Sequence, residues 1–125
     1  MSGIPPVDPK IRKLANAIFR SQGPAREYFT DIFPHFRETL HHFNLDEQWR
    51  DIYALVLTGD FEADRVALFL DRLRKEDPAL FTRFLDYVIR DLKDRLHAST
   101  EELEWMLLEL KSFGLEWNGR QLVSN

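Results

Sequence analysis

Residues 77–114 read DPALFTRFLDYVIRDLKDRLHASTEELEWMLLELKSFG. Asp77 before Pro78 is an N-cap followed by a proline at the first helical position, where the missing N–H would have had no partner anyway. Phe81, Phe84, Leu85, Val88, Ile89, Leu92 and Leu96 then recur at helical spacing, which predicts one wide-faced amphipathic helix from Pro78 to His97. Ser99-Thr100-Glu101-Glu102 reads as a capping box opening another helix, and Gly114 stands where a left-handed residue ends it. Asn118-Gly119 follows, set between alternating residues of the stretch Leu115 to Val123, and signals a terminal β-hairpin.

The N-terminal half carries the same helical punctuation. Asp8-Pro9 repeats the cap-plus-proline signature and opens a helix bearing Ile11, Leu14, Ala15, Ile18 and Phe19, which Ser21-Gln22-Gly23-Pro24 ends. From Ala25 to Phe43, the residues Phe29, Ile32, Phe33, Phe36, Leu40 and Phe43 fall within an arc of about 100°. Pro34 sits inside that segment and predicts a kink. Asn44 is a candidate cap for a third helix with Trp49, Ile52, Tyr53 and Val56 inward, stopped by Thr58-Gly59. Asp60 caps a fourth, with Phe61, Val66, Phe69, Leu70 and Leu73 inward. Pro5-Pro6 makes residues 1–7 a flexible arm. The expected fold is all-α: a bundle of five to six helices over residues 8–125, with a short C-terminal β-hairpin. Its two parts are a helical half (8–77) and a helix-turn-helix-hairpin half (78–125).

A chain of 125 residues is one domain, able to bury roughly two-thirds of its unfolded surface. Its 44% apolar and 13% aromatic content is that of a packed protein. The absence of cysteine excludes disulfides, thiolate metal sites and a cysteine nucleophile. No apolar run approaches the roughly 18 residues a membrane span needs, and the N-terminus has no signal-peptide pattern. A cytoplasmic protein with no membrane partner and no cofactor is therefore expected. The net charge of −4 does not favour nucleic acid as the dominant partner.

Two groups of residues have the types that chemistry uses. Asp31, His35, Glu38 and His42 lie at steps of four, three and four, within about 60° on a helix. Glu38-x-x-His41 also has the spacing of carboxylate-bridged di-iron bundles. The stripe lies opposite the Phe-rich face and no second Glu-x-x-His occurs, so a solvated, metal-free face of carboxylate–His pairs is expected. The second group is Arg90-Asp91, then five residues, then His97, which is similar to the pattern of HEPN-type ribonucleases, Arg and a polar residue followed three to five residues later by His. That resemblance implies metal-independent RNA cleavage, with His97 as general acid or base and Arg90 steadying developing charge. Asp86 and Asp94 flank Arg90 four residues to either side, where they would pair with it and repel RNA.

Leu92 to Leu103, then Met106-Leu107, Leu110 and Phe113-Gly114-Leu115 into the Asn118-Gly119 hairpin, resembles the second half of a winged helix-turn-helix domain. The resemblance covers residues 86–123 and implies a third helix that reads DNA beside a β-wing. Two features depart from it. Phe81 to Leu96 reads as one unbroken helix where the family has a turn, and residues 99–113 carry Glu101, Glu102, Glu104 and Glu109 against Lys111 alone. A helix of net charge −3 is repelled by phosphates. Nucleic-acid binding would fall instead to Lys10, Arg12, Lys13 and Arg20, in a segment (residues 1–26) of net charge +4. On the wheel of the 101–113 helix, Leu103, Met106, Leu107, Leu110 and Phe113 share the inward arc. Trp105 and Leu108 point away from it, with Glu101 between them and the hairpin's Trp117 nearby in sequence. An exposed Trp beside a Leu is the composition of a protein-docking patch. The favoured function is a non-enzymatic interaction module or adaptor subunit that docks through this helix and the terminal hairpin, its partner another protein or a second copy of itself.

Overall fold

The computed structural model describes residues 6–20, 24–30, 34–55 and 62–124. Among these the chain is an all-α bundle ending in a two-stranded antiparallel hairpin. The helices are α1 (Pro9–Arg20), α2 (Pro24–Phe29), α3 (Pro34–His42), α4 (Asp46–Leu55), α5 (Glu62–Glu76), α6 (Pro78–Asp94) and α7 (Glu104–Leu110). One-turn 3-10 segments, Glu101–Leu103 and Lys111–Phe113, flank α7, and the strands are β1 (Leu115–Trp117) and β2 (Leu122–Ser124).

α1 lies between α5 and α7 and also touches α2, while α5 packs on α4 and α6. Its position follows from its sequence. Ile11, Leu14, Ala15 and Ile18 are wholly buried on one side. At the edge toward α5, Arg12 pairs with Asp64. Asp8 caps the helix through its carboxylate, which accepts from the Lys10 N–H at 2.9 Å and faces Arg74 of α5 at 3.3 Å. The core is aromatic at its centre. The Phe36 ring contacts Phe29, Trp49, Phe69 and Phe84 at centroid distances of 4.9, 4.8, 6.1 and 6.3 Å.

Several boundaries differ from the sequence expectation. The 25–43 segment is two helices: Pro34 does not kink a continuous helix but begins α3, at a position where its missing N–H is harmless. Asp31, Ile32 and Phe33 lie outside the described residues, as do Val56, Thr58-Gly59, Asp60 and Phe61. Asn44 does not cap α4. It ends α3 in the left-handed conformation at φ 59°. Its N–H bonds the His41 carbonyl, and the Leu45 N–H bonds that of Leu40, the pattern of a Schellman stop. α6 ends at Asp94, short of His97. The Arg95 N–H closes the last turn on the Asp91 carbonyl, His97 takes φ 56°, and the Ala98 N–H returns to Leu92.

The capping box forms as read. The Ser99 N–H donates to Glu102 Oε1 at 3.0 Å, and the Glu102 N–H to Ser99 Oγ at 3.1 Å. Gly114 closes the far end at φ 72°. In the hairpin, Leu115 pairs with Ser124 and Trp117 with Leu122. Its loop spans residues 118–121, longer than a two-residue Asn-Gly turn. Asn118 organises it through its side chain, which accepts from the N–H groups of Arg120 and Gln121, both at 2.9 Å. No helix among the described residues is long and apolar enough to cross a membrane.

Candidate docking surface

α7 has one side in the core, with Leu103, Met106 and Leu110 no more than 1% exposed. The same periodicity turns Trp105 and Leu108 outward, where they are 51% and 52% exposed. Glu101 lies one turn before Trp105 and is exposed, as are Glu102 and Glu104. Leu107 and Phe113, expected inward, are half-buried at the margin. The Arg20 guanidinium at the end of α1 lies 5.2 Å from the centre of the Trp105 ring, a cation–π contact that joins the two helices at the surface. The 3-10 turns that flank α7 are closed at their outer ends, by the Ser99–Glu102 capping box before it and by the Gly114 stop after it.

Trp117 does not share this exposure. Its ring is half-buried against the core, and its indole N–H is buried without a hydrogen-bond partner. The hairpin that carries it is fastened to α6: Asp86 Oδ1 accepts from the Leu122 N–H at 2.7 Å, and Arg90 reaches Gln121 Oε1 at 3.4 Å.

Those contacts also bear on the ribonuclease pattern. Arg90 is paired with Asp86 at 3.0 Å as well as with the hairpin. His97 lies beyond the end of α6 in the left-handed conformation, so it does not continue the helical face that carries Arg90. Of the four basic residues named on α1, Arg12 is committed to Asp64, while Lys10, Lys13 and Arg20 are exposed.

His35, Glu38 and His42 on α3 make contacts across the bundle. His35 is half-buried, stacks on Tyr28 at 6.0 Å, and takes Arg95 Nη2 at 3.0 Å from its Nδ1. Glu38 accepts from Arg95 Nη1 at 3.3 Å, which holds that guanidinium more firmly protonated. His42 stacks on Tyr87 of α6 at 4.6 Å. Among the described residues no three metal-ligating side chains converge.

Sequence reasoning missed the buried group beneath this stripe. The Tyr28 hydroxyl donates to Asp91 Oδ2 at 2.9 Å and shares a hydrogen bond with the Thr39 hydroxyl, and Asp91 faces Arg95 at 3.5 Å. The available signal was Asp91 itself, an acid about 20° from Phe84 on the wheel of an otherwise apolar face. Burial, reinforced by the Asp91 charge, pushes the Tyr28 phenol well above its ordinary range. The unfolded chain loses that proton near pH 10 while the folded chain keeps it, so folding stability falls as pH rises above about 10. Tyr28→Phe should flatten that alkaline decline, as read by denaturant unfolding at a series of pH values.

The chain matches no known family, curated protein or solved structure.

Proposed function

We propose that this protein is a non-enzymatic interaction module of the cytoplasm, an adaptor or subunit that docks protein through the outer face of α7. The exposure of Trp105 and Leu108, one turn apart on a helix whose flanking 3-10 turns are closed by the Ser99–Glu102 box and by Gly114, carries this reading. Large aromatic anchors beside a smaller apolar side chain supply most of the energy of protein interfaces, and a fixed backbone spares the cost of ordering them. The hairpin serves as a brace for the α6–α7 half, since its polar contacts run to Asp86 and Arg90. The exposed Glu101, Glu102 and Glu104 make α7 a poor reader of DNA.

A nucleic-acid regulator is the second reading, supported by the exposed Lys10, Lys13 and Arg20 on α1. Retention on heparin that falls steeply with salt and is lost on reversing two of these charges would favour it over protein docking. For the first reading the test is capture of protein from the source cell by wild type, Trp105→Ala and Leu108→Ala. Each truncation should weaken capture by about 2 kcal/mol or more, roughly thirtyfold in affinity. Capture that is equal for all three proteins places the docking face elsewhere.

A further inference from the structure

We infer that the surface formed by α1 and α7 together is a two-fold dimer interface, its occupant a second copy of this chain. This rests on the docking reading of α7 and names the partner.

The two helices lie against each other, and Arg20 over Trp105 marks their common surface. On the α1 side the exposed charged side chains, Lys10, Lys13 and Arg20, are all cationic, with the neutral Asn16 among them. On the α7 side, Trp105 and Leu108 are accompanied by the exposed Glu101, Glu102 and Glu104, which outnumber the exposed Lys111 just past the helix. One surface thus carries a positive strip beside an apolar and negative one. A foreign basic helix laid over α7 would meet the Lys13 and Arg20 charges alongside, and a foreign acidic one would meet the glutamates. The fitting partner has the same two strips in exchanged order. This surface itself provides that arrangement when turned about a two-fold axis parallel to the helix pair. Each α1 then faces the other copy's α7, and every contact is made twice. Lysine and arginine also suit this role chemically. Their aliphatic stems cover apolar surface while their charged ends reach the glutamates, and an arginine can lie on the Trp105 face.

Sedimentation equilibrium of the full chain, from low to several hundred micromolar, tests the inference. Circular dichroism melts confirm that each variant is folded. Wild type should approach twice the monomer mass. Trp105→Ala, with Leu108→Ser as the independent second variant, should remain monomeric over the same range. Reversing the α1 strip (Lys13→Glu with Arg20→Glu) or the α7 strip (Glu101→Lys with Glu104→Lys) should each weaken the dimer by about tenfold or more. Combining both reversals exchanges the signs together and should restore most of the loss. A quadruple variant no better than the weaker double variant would overturn the pairing of the strips. So would a dimer indifferent to Trp105 and Leu108. A wild-type monomer at every concentration also overturns the inference. If that monomer still captures a foreign protein in a Trp105-dependent way, the docking reading of α7 stands and only the second copy is wrong; if it does not, both fall.

Discussion

Phe36→Ala should lower the melting temperature by about 10–25 °C, the larger of two stability effects that follow from the packing. Phe36 is 1% exposed at the start of α3, and its ring contacts aromatic rings from α2, α4, α5 and α6. Truncating a buried Phe typically costs about 3–5 kcal/mol, combining lost transfer energy with the cavity left behind. The upper part of that range applies where the surroundings cannot collapse. Here the neighbours are rigid rings on four helices, so the hole stays open. Phe43→Ala offers a control. Phe43 is only half-buried, in ring contact with Phe84 and Tyr87, and its truncation should cost less than that of Phe36. Calorimetry of both variants checks the order. A Phe36→Ala protein that melts within a few degrees of wild type would mean that the aromatic centre is not where the stability lies.

Asp91→Ala should be the larger polar effect, about 2–3 kcal/mol by denaturant unfolding at neutral pH. The carboxylate is 8% exposed and receives the Tyr28 hydroxyl and the Arg95 guanidinium. Hydrogen bonds to a charged group are among the stronger ones, and removing the acceptor leaves a buried phenol short of a partner. Arg95 is better placed to tolerate the loss, since it is partly solvated and retains Glu38 and His35. Tyr28→Phe removes the donor instead and should cost less. Combining Tyr28→Phe with Asp91→Ala should cost less than the two single losses added, because both act on one hydrogen bond. Strict additivity in that cycle would show that the Tyr28–Asp91 contact contributes nothing to stability.

The architecture was legible because its signals are local. Asp77-Pro78 opens α6, with the Asp77 side chain accepting from the Leu80 N–H at 3.1 Å; Ser99 and Glu102 cap each other; Gly114 adopts its left-handed conformation. The wheel also separated Leu103, Met106 and Leu110 from Trp105 and Leu108, because the helical period alone decides which residues share a side. Features depending on contacts across the chain were not legible. Asn44 favours both an N-cap and a left-handed stop, and only the return of the Leu45 N–H to Leu40 selects the second. His42 is exposed and His35 half-buried, but that Tyr87 of α6 would stack on the first and Arg95, just past α6, would bond the second was not legible from their own helix. Arg12 read as one of four equivalent cations until Asp64 of α5 met it. Periodicity reports which side of a helix faces inward, but not which polar groups the next helix brings.

Whether Trp105 is a surface anchor or part of the core is decided by thermal unfolding of Trp105→Ala beside wild type, at a concentration low enough to keep both monomeric. An anchor 51% exposed on α7 makes few of the contacts that hold the fold. Surface substitutions usually change stability by less than about 0.5 kcal/mol, so the variant should melt within about 3 °C of wild type while losing its partner. A fall of more than about 10 °C would be the signature of a lost core aromatic, and would contradict the assignment of α7 as a docking face.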